Sequence, residues 1–178
     1  MALTEKEKRA DLLMLKDELE GIGLQADVFE KDDIMGELGL LVVYEDESEY
    51  GKSQSEKNGE PLMNAISTYL FELEDEEEEA LNDGEILNKY ALIFTELPGA
   101  YDEYEELELY RVLNEFNEKI ALGFFYPGKN DAGETKIRFK YSLYSPAGEI
   151  FNTYAYCEAI IQTIFYVGLL TDLLKGEE

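Results

Sequence analysis

The chain has 178 residues, 45% of them hydrophobic and 12% aromatic, the composition of a folded globular protein of one domain spanning 1–178. Forty-one acidic residues against 15 basic ones give a formal net charge of −26. That charge argues against nucleic acid and anionic membrane surfaces as partners, because both recruit Lys and Arg, and leaves basic proteins and cations open.

Histidine is absent, which removes Ser-His-Asp and Cys-His catalysis and histidine metal sites. Cys157 is the only cysteine, so no intrachain disulfide can form. Glu outnumbers Asp and Lys outnumbers Arg, the pattern of an ordinary cytoplasm rather than of a salt-loving source. The opening residues "MALTEKEKRA" carry charge and no apolar core, so no signal peptide is expected.

In chain order, residues 4–22 read as a helix. Thr4 and Glu7 have capping-box spacing, and Leu12, Leu15, Leu19 and Ile22 recur at helical intervals. Three strands follow: "LGLLVVY" (38–44), "ISTYLFELE" (66–74), with Tyr69, Phe71 and Leu73 on one face, and "YALIFTEL" (90–97). The polar, glycine-containing segment 45–61 reads as a long surface loop.

A second helix is expected over about 103–122. At about 100° per residue, Leu109, Leu113, Phe116 and Ile120 share a narrow arc, with Asn117 beside it and Asn114 at its margin. Gly123 is expected to stop this helix. Residues 124–145 read as a hairpin whose return strand aligns Ile137, Phe139, Tyr141 and Leu143 on one face. Residues 154–174 read as a long, broadly apolar helix suited to covering a sheet, broken as a membrane span by Glu158, Gln162 and Asp172. Its Gly168 allows a bend or a close contact. The predicted order, helix–three strands–helix–two strands–helix, is an α+β sandwich, an antiparallel sheet covered by helices.

The sequence offers few candidates for chemistry. The acidic tract 72–85 reads as a solvated connection or, alternatively, a cation or docking surface. It lacks EF-hand spacing, and no metal site or cofactor is expected. Cys157 sits in the apolar last helix, as a small hydrophobe would. Tyr101, Tyr104, Tyr110, Tyr141, Tyr144, Tyr154, Tyr156 and Tyr166 supply core packing and, alternatively, a partner-binding groove. Asn114 and Asn117 are read as structural, not catalytic. If buried they need partners, which backbone groups of the adjoining hairpin or a neighbouring loop can provide, while an exposed helix edge is the other reading for Asn114.

The stretch "YRVLNEFNEKIALGFFYPGKNDAGETKIRFKYSLYS" (110–145), followed by a long apolar helix, resembles the YbjN-like family of bacterial proteins. That family is labelled as sensory transduction regulators and is similar in fold to type III secretion chaperones. Leu113, Asn114 and Asn117 match its "LNxxN"-like element, and Gly123 with Phe125 its "GxF" strand. The resemblance implies a helix–sheet sandwich, no catalysis and, as among the chaperones, a homodimer. The sequence therefore points to a cytoplasmic, non-enzymatic protein-binding domain with a chaperone-like or regulatory role and a basic client. The alternatives are a nucleic-acid-mimicking inhibitor of a basic protein and a carboxylate-dependent hydrolase.

Overall fold

The structure, a computed structural model, describes residues 4–31, 36–72, 88–146 and 149–175. Four helices and six strands run in the order α1 (Glu5–Gly21), β1 (Gln25–Phe29), β2 (Gly39–Glu45), α2 (Glu49–Asn58), β3 (Met63–Glu72), β4 (Asn88–Glu96), α3 (Glu106–Asn117), β5 (Phe124–Lys129), β6 (Thr135–Pro146) and α4 (Thr153–Lys175). The strands form one antiparallel sheet in the order β1-β2-β3-β4-β6-β5. The class is α+β.

Strand pairing sets two faces, because successive side chains alternate across the pleat. The inner face carries Leu40 and Val42 of β2, Ile66 and Leu70 of β3, Ala91 and Ile93 of β4, and Ile137 and Phe139 of β6, all buried. Helix α1 lays Leu12, Leu15 and Leu19 on the β1–β2 half, and α3 lays Leu109 and Leu113 on the β5–β6 half. Helix α4 spans both halves, with Tyr156 and Ile160 in the first cluster and Val167 and Leu170 in the second. Two polar ties cross this interface. The Tyr156 and Thr68 hydroxyls are 2.7 Å apart, and Lys89 on β4 donates to Asp11 on α1 at 2.7 Å while lying over the Phe151 ring. A buried ammonium is tolerated because it is paired.

The capping box at the start of α1 forms. Thr4 Oγ1 accepts from the Glu7 N–H, and Glu7 Oε2 accepts from the Thr4 N–H at 2.8 Å. The described parts of 38–44, 66–74 and 90–97 fall within or beside β2, β3 and β4, and the hairpin and last helix lie where expected.

Four expectations are corrected. Segment 45–61 is not a loop throughout: α2 occupies Glu49–Asn58, capped by Ser48, whose hydroxyl accepts from the Gly51 N–H, and ended by Gly59 at φ +75°. Five residues, Gln25–Phe29, add a strand before β2, so the order contains one more strand and one more helix than the sequence showed. Helix α3 ends at Asn117, short of residue 122. Gly123 therefore does not stop it. It enters β5 at φ +66°, where a Cβ would collide with the Phe139 ring and the Lys140 carbonyl. Leu73 and nearly all of the acidic tract 72–85 lie outside the described residues.

Candidate functional site: a groove along the last helix

Helix α4 is apolar around most of its circumference. Residues 159–171 contain no charged side chain in a chain of net charge −26. By length and composition α4 could cross a membrane, yet 44% of its most apolar window is buried within the fold. What the sheet does not cover is a stripe: Ile161, Phe165, Leu169 and Leu173 stand between 45% and 59% exposed. Residues four apart lie one above another, so these side chains form one continuous ridge.

Beside the ridge lies a groove of about 740 Å³, walled by the end of β2, the β2–α2 connection and the turn after α1. Its apolar lining includes Leu24, Val43, Met63, Ile161, Phe165 and Leu169. Its charged lining is Glu45, Asp46, Glu47 and Asp172, with no Lys or Arg.

Two of these carboxylates are structural. Asp46 is buried, with Oδ1 accepting from the Ser48 N–H and Oδ2 from the Asn64 side-chain amide, both at 3.0 Å. Asp172 reaches from α4 to accept the Tyr50 N–H at 3.0 Å. Together with Ser48 it satisfies orphan donors in the first turn of α2 and places negative charge at that helix's positive end. A Cβ at Gly51 would clash with Asp46, whereas a Cβ at Gly168 would meet only Ser48, at an ordinary contact distance. Glu45 and Glu47, by contrast, are exposed. The four acids thus rim the groove without meeting at a shared reacting point.

At the inner wall, burial first and then the Asp46 carboxylate push the Tyr44 hydroxyl above its ordinary pKa, while the Asn64 side chain acts the other way. Burial, followed by Glu18 and Glu158, likewise raises the Cys157 thiol, which disfavours the thiolate. Among the described residues, no group of three or more Asp, Glu or Cys side chains is placed to hold a metal ion.

Of the residues singled out in the sequence, Gly168 lines this groove, while Asn114, Asn117 and Gly123 lie away from it. Asn117, half-buried, donates through Nδ2 to the Phe125 carbonyl at 2.9 Å and accepts the Phe125 N–H through Oδ1 at 2.8 Å. Since β5 is an edge strand, the amide fills the place of one residue of a missing neighbour strand. Asn114 is exposed, and its carbonyl accepts from the Glu118 N–H at the end of α3. Of the tyrosines, Tyr101, Tyr156 and Tyr166 are buried, whereas Tyr144 and Tyr154 are well exposed.

An α+β sheet roofed by helices, with an acid-rimmed apolar groove beside its longest helix, is the class of molecule these features define. No protein-family model matches the chain, and no curated protein matches it.

Proposed function

We propose that this chain is a cytoplasmic, non-enzymatic protein-binding domain with a chaperone-like or regulatory role, holding an apolar, Lys- or Arg-flanked segment of a client in the α4 groove. The observation that carries the reading is the exposed ridge Ile161–Phe165–Leu169–Leu173 beside a groove whose charged lining is acidic throughout. An amphipathic segment would bury its apolar side chains there, as helix-in-groove partners do, and set its cations against Glu45 and Glu47. Kinship with YbjN-like proteins belongs to the same proposal. Its support is the run from α3 through the Asn117–Phe125 tie and the hairpin into α4.

The test is fluorescence anisotropy with a panel of labelled peptides sharing one apolar pattern and differing in flanks. Lys-flanked peptides should bind and weaken as salt rises, and Glu-flanked ones should not bind. Equal binding of both sets, or none by either, would refute the proposal.

A further inference from the structure

The exposed ridge of α4 runs on past the groove. Ile161, Phe165 and Leu169 line the groove, whereas Leu173, one step further along, lines a different hollow. Four residues turn an α-helix through about 400°, so each step of the ridge moves it about 40° around the axis. Over three steps the row leaves the side of α4 that faces β2 and reaches the side that faces α3. The hollow there is a cleft of about 230 Å³ between α3 and the last turn of α4, with Tyr104, Val112, Phe116 and Leu173 among its walls. It has room for one large apolar side chain.

Charge changes along the same path. The charged lining of the groove is four carboxylates, whereas the cleft has one carboxylate, Glu115, and one ammonium, Lys119. Lys119 is exposed and makes no ion pair among the described residues. It stands four positions after Glu115, but α3 ends at Asn117, so the helical geometry that pairs such residues is missing. A carboxylate arriving at the cleft meets an unpaired cation, which no point of the groove lining offers.

The sheet edges narrow the form of the occupant. On β5 the outward backbone groups of Phe125 are taken by Asn117, and Pro127, the next outward position, has no N–H to give. On β1 the Val28 N–H is already bonded to the Asp27 carboxylate at 2.9 Å. Strand addition is obstructed at both edges. A helix, which satisfies its own backbone, needs neither.

Taking the groove as the client site proposed above, we infer that the client segment is a helix lying obliquely along the ridge from the groove to the α3–α4 cleft. It carries Lys or Arg at its groove end, and an apolar anchor followed by a carboxylate at its cleft end. Its anchors recur every four residues, because rows of that spacing on two helices interdigitate with the axes crossing at about 50°. The ridge from Ile161 to Leu173 is about 18 Å long, the rise of about twelve helical residues, which sets the length of client required. The site therefore reads polarity as well as apolar pattern: a client with cations at both ends would set one of them against Lys119.

The experiment is fluorescence anisotropy on the full chain with two sets of labelled helical peptides. Core peptides carry Lys at one end and stop at the anchor that meets Leu169. Extended peptides add one turn, bearing a Leu anchor and then either Glu or Lys. The Glu-ended extended peptide should bind about tenfold more tightly than the core peptide, and about tenfold more tightly than its Lys-ended counterpart. Lys119→Glu, at an exposed position and so safe for folding, should reverse the order of the two extended peptides. Lys6→Glu on α1, the same change in net charge, should preserve that order. If core peptides bind but the extension adds nothing, or Lys119→Glu leaves the order in place, this inference falls and the groove reading stands. Failure of every peptide to bind would overturn both.

Discussion

The α4 groove and the outer sheet face both carry apolar side chains, and they differ in the charge around them. The groove is rimmed by Glu45, Asp46, Glu47 and Asp172 with no cation, so it favours an occupant bringing positive charge. The outer face carries Asp27 and Lys140 along a single row across the sheet. In the groove, apolar area supplies the drive for association and the pattern of charge selects the partner. Added salt should weaken peptide binding in the groove.

The largest expected effect removes the platform beneath both surfaces. Phe139 is fully buried on the inner face, against Phe125, and Phe139→Ala should cost about 3–5 kcal/mol in urea unfolding. Phe94→Ala, one position along the neighbouring strand's outer side and only half-buried, should cost less folding stability. Equal losses for the two would erase the distinction between the core face and the outer face.

A smaller effect is expected at the rim of the outer face. Asn117→Ala removes both bonds to the Phe125 backbone and should cost about 1–3 kcal/mol. Amide exchange should quicken along β5 and stay unchanged around the groove. Asn114→Ala, at an exposed position, should fall within about 0.5 kcal/mol of the parent.

In the groove itself, Phe165→Ala should weaken a Lys-flanked peptide about tenfold, near 1.4 kcal/mol, with no change in the unfolding midpoint. The least effect concerns pH. The Thr135 N–H and hydroxyl hold the Asp102 carboxyl below its ordinary pKa, tying the connection before α3 to the start of β6. A carboxylate lowered on folding stabilises above the usual carboxylate range and loses that contribution as pH falls through its lowered value. Asp102→Asn should therefore flatten the acid limb of the stability curve slightly, well below the effect of Asn117→Ala.

The elements legible in the sequence are those whose burial leaves a period. Leu12, Leu15 and Leu19 announced α1, the alternation from Ile137 to Leu143 announced β6, and the apolar run announced α4. Helix α2 left no such trace. Its only buried residue is Gly51, and the acceptor of its Tyr50 N–H, Asp172, comes from 122 positions away. Strand β1 is too short, five residues, for alternation to stand out. For α3, the apolar arc continued through Ile120 after the helix had ended at Asn117, because residues beyond the helix also pack into the core.

The tie between Asn117 and the hairpin backbone was foreseeable in kind, since a half-buried amide requires partners. The groove was not. The breadth of apolar residues over 154–174 read as a face covering a sheet, and only packing shows that Ile161, Phe165, Leu169 and Leu173 are left outside. One signal was available: α4 is apolar around more of its circumference than a single covering face needs. The row from Asp27 to Phe124 depends on strand register across six strands, which no local pattern supplies.

Titration of one labelled Lys-flanked amphipathic peptide against the parent chain, Phe165→Ala and Phe94→Glu tests the division of labour most directly. The account predicts that affinity falls about tenfold in Phe165→Ala and is unchanged in Phe94→Glu. A peptide that binds Phe165→Ala as well as the parent but is lost by Phe94→Glu would place the client on the sheet and contradict it.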